Sequence, residues 1–278
     1  MKLNLRFGRR LPLRMAFFVA LVECALFLPC LHAADLPQGQ PIPTHSPQDS
    51  AAPAQSFAPL SLEMRGDIYM ARKSYEDAVD YYYRALRQTG ISNAAIWNKM
   101  GIAFQEESNL RSARKAYQRA IHFQHNFAAA WNNAGTTFYL AGKDKKAIKF
   151  YKHALTLEPN NPSFHLNLGT AYYHRRKYQE TVEQYRQALM LDPNILLQNS
   201  KTGTIVQARG SDVEYYFYMA KVFASLGRNT EAIRYLRHAL EDGFRNYRQL
   251  NKDPDFEKLK SDPAYVALLK NPPIAIKD

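Results

Sequence analysis

Residues 131–160 read WNNAGTTFYLAGKDKKAIKFYKHALTLEPN, and residues 165–194 read HLNLGTAYYHRRKYQETVEQYRQALMLDPN. The two stretches align without a gap at an offset of 34 residues, which places Gly135 opposite Gly169. A fixed period of this length indicates a repeat architecture in which each repeat is one supersecondary unit.

The same period continues on both sides of these stretches. Gly101 lies 34 residues before Gly135, and Gly66 lies 35 residues before Gly101. A fifth, degenerate unit follows, with Tyr216, Met219, Ala220, Phe223, Ala232, Leu236 and Ala239 at the matching places.

The spacing inside each unit predicts two amphipathic helices. One apolar set follows i, i+3, i+4 and i+7, and a second follows i, i+4 and i+7. In the second unit these sets are Trp97, Met100, Gly101 and Phe104, and then Ala113, Tyr117 and Ala120. We expect small residues where the two helices cross, with aromatic side chains beside the contact. A single helix pair cannot bury its apolar face, so the units are expected to stack.

These segments resemble the tetratricopeptide repeat (TPR) family, whose pattern is W-x2-L-G-x2-Y, A-x3-F and a final P. The resemblance covers residues 59–246 and implies an all-α fold: a right-handed α-solenoid of about five TPR helix-turn-helix units with a C-terminal helical cap. The sequence departs from the pattern at His165 in place of Trp, Thr181 in place of Ala, and His125 in place of Pro.

An insertion at about residues 196–212 separates the fourth unit from the fifth. Two short runs, 196–200 and 204–207, flank Lys201-Thr202-Gly203, which is compatible with a small hairpin or an ordered loop. Such loops often serve binding, but solenoids also tolerate insertions without function.

Residues 247–278 are predicted to cap the solenoid. Asp253-Pro254 and Asp262-Pro263 each place an N-cap acid before a proline at the first helical position. The apolar residues expected over the last repeat are Phe256, Leu259, Tyr265, Leu268 and Leu269.

The first 34 residues have the layout of a secretory signal peptide. Five bases precede an apolar run at 15–31, and small residues follow at Ala33-Ala34. The run is about the minimum length for spanning a bilayer, so an uncleaved anchor is the alternative, although Glu23 at its centre disfavours one. Residues 35–58 are rich in Pro, Gln, Ser and Ala, which predicts a disordered linker.

Composition narrows the protein class. A mean hydropathy of −0.45 excludes a polytopic membrane protein, and two cysteines exclude a disulfide scaffold. Both cysteines, Cys24 and Cys30, lie in the predicted signal. The formal charge is +12, and removal of residues 1–34, which hold five bases and one acid, leaves +8.

No catalytic motif is present: the sequence lacks a P-loop, G-x-S-x-G and H-E-x-x-H. His122 and His125 are three residues apart but have no third ligand nearby in sequence, so no metal site is predicted. We therefore expect neither enzymatic activity nor a cofactor.

The basic residues fall on predicted inter-helix turns and on the outer face of the second helices. Charge there usually confers solubility; the alternative is a weak contact with an anionic membrane surface or an acidic partner, whereas nucleic acid is not expected. These bases are Arg111, Arg114, Lys115, Arg119, Lys143, Lys145, Lys146, Lys149, Lys152, Arg175, Arg176 and Lys177.

The resemblance also implies a concave groove, lined by the first helix of each unit, that holds a protein or peptide partner. The corresponding residues are Asn98, Ile102, Asn132, Thr136, Tyr139, Leu166, Thr170 and Tyr173. The alternative is that they are merely exposed repeat positions. One TPR subtype grips a carboxylate with Lys and Arg, but the matching places hold Asn98, Ile102, Asn133, Ser163 and Asn167.

The sequence therefore predicts a non-catalytic interaction scaffold that is exported to the periplasm or the extracellular space. The alternative is a membrane-anchored assembly factor, held in the inner membrane through residues 15–31, or an accessory subunit of an envelope enzyme complex.

Overall fold

The computed structural model describes residues 59–196 and 213–275, and within these ranges it is all-α with no strand. Five consecutive helix pairs pack one after another, so the predicted α-solenoid is confirmed. The first helices of the pairs are α1 (Leu62–Ala71), α3 (Ala94–Glu106), α5 (Ala128–Leu140), α7 (Pro162–His174) and α9 (Val213–Ser225). The second helices are α2 (Tyr75–Thr89), α4 (Leu110–Phe123), α6 (Asp144–Leu157), α8 (Tyr178–Leu191) and α10 (Asn229–Glu241).

The turn inside every pair has the same backbone geometry. In each pair, the residue seven positions after the repeat glycine, or after Ala220 in the fifth pair, has a positive φ of between 56° and 71°. The amide of the following residue, three positions after the last residue of the helix, then bonds back to a carbonyl five residues earlier, for example Asn109 N to Phe104 O at 2.8 Å. This is the Schellman ending, which stops the first helix and reverses the chain. The residues with positive φ are Lys73, Ser108, Gly142, Arg176 and Gly227.

In each of the first four repeats, a tyrosine ring of the second helix rests on a glycine of the first helix. At Gly101, a Cβ atom would lie 2.5 Å from the Tyr117 ring. The sequence predicted that small residues on both helices meet at the crossing; the structure corrects this, because the glycine faces a ring and not a second small residue. The four pairs are Gly66 and Tyr82, Gly101 and Tyr117, Gly135 and Tyr151, and Gly169 and Tyr185.

The first helices line the inner side of the stack. Each helix packs against the next one in sequence, and α3 also packs against α5, and α5 against α7. The contacts of α5 with α3 and α7 place these three first helices side by side on one face of the stack. This arrangement places the side chains of α3, α5 and α7 in one concave groove.

The cap follows α10 as α11 (Tyr247–Lys252), a 3₁₀ helix (Pro254–Ser261) and α12 (Pro263–Lys270). Both predicted N-caps are confirmed, since Asp253 accepts from the amide of Asp255 at 3.1 Å and Asp262 accepts from that of Ala264 at 2.9 Å. The first of the two is a 3₁₀ helix, and α11 was not predicted. The predicted apolar residues pack onto the core of the fifth repeat, where Phe256 lies 5.8 Å from Phe217 between ring centroids.

Three predictions fall outside the described residues. They are the signal peptide at 1–34, the linker at 35–58, and the hairpin or loop in the 196–212 insertion, of which only Leu196 is described. In the described ranges, every helix is too short or too polar to cross a bilayer.

Candidate partner-binding groove

The groove is a cavity of about 890 Å³ that is lined by residues of four repeats. Its walls come from the end of α1, the inner face of α3, the first half of α5 and the start of α7. Three of the predicted groove residues line it, namely Asn98, Ile102 and Asn132. The other lining residues include Met70, Lys73, Gln105, Glu106, Ala129, Asn133, Glu158, Asn161, Ser163 and Phe164.

A chain of asparagine amides forms the floor of the groove. Asn167 Nδ2 donates to Asn132 Oδ1 at 3.0 Å, Asn132 Nδ2 donates to Asn133 Oδ1 at 3.2 Å, and Asn133 Nδ2 donates to Asn98 Oδ1 at 3.1 Å. All three bonds point in one direction, and two of them cross from one repeat to the next. Hydrogen bonds in such a chain polarise one another, so the last amide is a strengthened donor.

The chain ends at Asn98, which lines the groove. Its Nδ2 makes no hydrogen bond within the described part of the protein, so two N–H groups remain for a ligand. Asn132 differs, because it is 2% exposed and both ends of its amide are bonded internally. The sequence assigned ligand contact to both residues; the structure gives Asn132 an internal structural role.

Three further predicted residues are buried inside the repeats and not on the groove surface. The hydroxyl of Thr136 lies 3.2 Å from Tyr151 Oη, and that of Thr170 lies 3.1 Å from Tyr185 Oη, while Leu166 packs in the core. The prediction that these three face a ligand is therefore corrected: the threonines satisfy the tyrosine hydroxyls that the same fold buries.

Two predicted aromatic residues lie beyond the groove. Tyr139 is buried, with its hydroxyl 2.8 Å from His174 Nε2. Tyr173 is half-buried and lies 5.9 Å from both Tyr178 and Tyr215 between ring centroids. Neither tyrosine lines the cavity beside Asn98, so neither provides a contact for a ligand in this groove.

Four family models match the repeats of this chain. Models described as tetratricopeptide repeat or TPR repeat match residues 50–92, 135–175, 162–195 and 213–241. The chain is a TPR protein. The match at 50–92 contains the first helix pair, and those at 162–195 and 213–241 coincide with the fourth and fifth pairs. The match at 135–175 runs from within α5 through α6 and α7.

Solved structures similar to this TPR protein include a crystal structure of MamA, with 17% identity, a TM-score of 0.46 and coverage of 63% of this chain and 92% of that one. A MamA structure from Desulfovibrio magneticus has 16% identity, a TM-score of 0.47 and coverage of 65% and 92%. The second TPR domain of human RPAP3, in complex with an HSP70 peptide, has 24% identity, a TM-score of 0.38 and coverage of 40% and 92%. No curated protein sequence matches the chain.

The TPR protein keeps a hydrogen bond where the sequence departs from the family pattern. In the second and third repeats, the indole Nε1 of Trp97 donates to Ile91 O at 2.7 Å, and that of Trp131 donates to His125 O at 2.8 Å. In the fourth repeat, His165 Nε2 lies 2.8 Å from Pro159 O. Because a carbonyl can only accept, the histidine takes over the donor role of tryptophan.

The bases predicted on the outer side are exposed, with the exception of Arg114, which is half-buried. The Arg114 guanidinium lies 4.6 Å from the Phe138 ring centroid, a cation–π contact between adjacent repeats. Among the described residues, no group of three or more metal-ligating side chains occurs, and His125 instead packs edge-on against Trp131.

Replacing Asn132 with alanine should lower the free energy of unfolding by about 2 kcal/mol, because it removes the two hydrogen bonds that the buried Asn132 amide makes with Asn167 and Asn133. Urea denaturation monitored by circular dichroism measures this. Asn160→Ala, at an exposed position, is the control and should change stability by less than about 0.5 kcal/mol. Equal stability of the two variants would contradict the structural role of the amide chain.

Proposed function

We propose that this TPR protein is a non-catalytic scaffold that binds an extended segment of a protein or peptide partner in the groove. The observation that carries this proposal is the pair of unbonded N–H groups on Asn98, at the end of the amide chain and inside a cavity of about 890 Å³. A volume of this size lies within the usual range of ligand sites.

The other lining residues fit the same kind of ligand. Ile102, Ala129 and Phe164 provide apolar contact beside the amide, and Lys73 and Glu106 are charged and exposed at the edge. A polypeptide offers carbonyl acceptors at regular spacing together with side chains, so it can use both the donors and the apolar wall. Among the described lining residues Lys73 is the sole cation, so the partner need not carry a terminal carboxylate.

Ala129→Arg tests the groove without disturbing the core. Ala129 is half-buried and faces the cavity, so a long cationic side chain should occupy the space of the partner. We expect co-purification from an envelope extract to lose the partners retained by the wild type, and circular dichroism to show unchanged helix content. Ala267→Arg makes the same change on the exposed surface of α12 and should retain every partner. Identical partner sets for both variants would refute the groove assignment.

We also propose that the protein is exported and acts in the periplasm or the extracellular space. The support is the signal-peptide layout of residues 1–34. The apolar run at 15–31 favours one competing function, an anchored assembly factor or an accessory subunit of an envelope enzyme complex. Mass spectrometry of the mature N-terminus distinguishes them: a chain that begins near Ala34 or Asp35 supports export, and an intact Met1 in a membrane fraction supports the anchor.

A further inference from the structure

In every repeat, one position of the second helix lies at the same place in the outer packing. It lies 15 residues after each repeat glycine or its Ala220 equivalent. In the third repeat this residue is Phe150, whose ring lies 5.3 Å from Trp131 and 4.9 Å from Phe138 between centroids. The ring therefore fills the space between the two aromatic side chains that the first helix presents.

Two other repeats fill this place with an aromatic ring as well. In the first repeat Tyr81 stacks on Tyr69 at 5.1 Å, and in the fifth Tyr235 stacks on Phe223 at 5.1 Å. In the fourth repeat the residue is Gln184, whose Oε1 lies 2.8 Å from His165 Nδ1. The fold therefore accommodates a planar side chain here in four repeats.

The second repeat is different, because the residue at this place is Ala116. A cavity of about 290 Å³ opens beside it. Its lining comprises Trp97, Met100, Phe104, Ser112, Lys115, Ala116 and Arg119. An apolar cavity of about 150 Å³ is enough to bind benzene, so this one has room for an aromatic side chain.

The walls of this cavity are rigid on the apolar side. The bond from Trp97 Nε1 to Ile91 O, at 2.7 Å, fixes the indole plane, and Met100 and Ala116 are buried. The cavity is therefore already formed before a ligand enters, which avoids the entropy cost of ordering its walls.

The open edge of the cavity is basic. Lys115 and Arg119 line it, and Arg111 lies one turn earlier on the same stripe of α4. All three are exposed, and none forms an ion pair in the described ranges. Of the described residues that line the cavity, none is acidic. The charge at this edge complements carboxylates beside the bound ring.

We propose that the cavity beside Ala116 is a second docking site, which takes an aromatic side chain flanked by acidic residues on a partner protein. It is separate from the groove, because Trp97 and Phe104 lie on one face of α3 whereas Asn98 and Ile102 lie on another. A second copy of this chain is disfavoured as the occupant, since its net positive charge, +12 for the full chain and +8 without residues 1–34, would repel the basic edge.

The two tryptophans of the chain make the test direct, because Trp97 lines the open cavity and Trp131 lines the equivalent place filled by Phe150. The probe is the blocked tetrapeptide Asp-Phe-Asp-Glu, titrated into ¹⁵N-labelled protein while the two indole N–H signals are followed by NMR. We expect the Trp97 signal to shift to saturation and the Trp131 signal to stay in place. Peptides with alanine for the phenylalanine, or with lysine for the acids, should bind at least about tenfold more weakly.

Ala116→Phe is the decisive variant, because it gives the second repeat the side chain that the third repeat already has at this position. It should abolish the Trp97 shift while the Trp131 signal remains at its wild-type position, which also reports that the variant is folded. If the phenylalanine variant does not fold, Ala116→Leu fills the cavity with a smaller side chain. Lys115→Ala/Arg119→Ala should weaken the acidic peptide about tenfold and should not weaken the peptide with lysine for the acids.

Several outcomes would overturn the proposal. One is the absence of a saturable Trp97 shift, and another is an equal shift in Ala116→Phe. Free 3-phenylpropionate that binds as tightly as the tetrapeptide would indicate a small-molecule site and not a protein contact. Concentration-dependent dimerisation in analytical ultracentrifugation that Ala116→Phe removes would identify a second copy of the chain as the occupant.

Discussion

Replacing Tyr117 with alanine should lower the free energy of unfolding by about 3–5 kcal/mol. The ring is fully buried between α3 and α4, and its hydroxyl donates to Gln105 Oε1 at 3.3 Å. Truncation leaves a cavity that the backbone contact at Gly101 cannot close, because both helices are held by neighbouring repeats. Urea denaturation measures the loss, and Tyr83→Ala, with a side chain that is 51% exposed, is the control with little expected effect.

Because Tyr117 contacts Gly101, the effect of Gly101→Ala on the free energy of unfolding should change sign when Tyr117 is truncated. In the wild type, Gly101→Ala places a Cβ atom 2.5 Å from the Tyr117 ring and should cost about 1–3 kcal/mol by overpacking. In the Tyr117→Ala background the clash is gone, and the better helix propensity of alanine should stabilise the protein by about 0.5–1 kcal/mol. Additive effects of the two substitutions would show that the ring does not require the glycine.

Raising the pH above about 10 should unfold the helices cooperatively. Burial raises the pKa of Tyr82, Tyr117, Tyr151 and Tyr185 well above the ordinary phenol value of 10.0. The folded state therefore keeps these phenols protonated while the unfolded state releases their protons. Their contribution to stability is complete below the unfolded pKa and is lost as the pH rises above it. These four groups contribute about 5 kcal/mol per pH unit to the slope, and Tyr215 and Tyr265, whose pKa burial also raises, add to it.

Helical circular dichroism and phenolate absorbance, recorded in one alkaline titration, test this expectation. The four tyrosines should ionise together with the loss of helix. Tyr151→Phe removes one of these hydroxyls and should reduce the slope by about 1.4 kcal/mol per pH unit, whereas Tyr83→Phe, at an exposed position, should leave it unchanged. Ionisation of all tyrosines near pH 10 with the helices intact would contradict the role of the buried phenols.

The helices were predictable because each repeat presents the same pattern to the same environment. The glycine, aromatic and alanine spacing recurs in several units, so a local ambiguity in one unit is resolved by the others. The 3₁₀ geometry after Asp253 was not predictable in this way, because it occurs once and depends on contacts with the fifth repeat.

The candidate groove was predicted only in part. The resemblance to TPR proteins implied that Asn98, Ile102 and Asn132 lie in a groove, and all three line the cavity. The sequence could not show that Thr136 and Thr170 bond to the hydroxyls of Tyr151 and Tyr185, because partners 15 residues away on another helix depend on how the helices cross. The same limit applies to the amide chain, whose bonds between repeats join residues 35 positions apart.

The sequence by itself determined the repeat family, the helix pairs and the position of the cap, because these depend on the local spacing of residue types along the chain. Only the tertiary structure decided which polar side chains reach a ligand and which are used internally. It also showed that alanine at position 116 leaves an open cavity, since a small residue creates space only where its neighbours are held apart. Trp97 and Phe104 are held in that way by the packing of whole repeats, which acts over distances that sequence spacing does not specify.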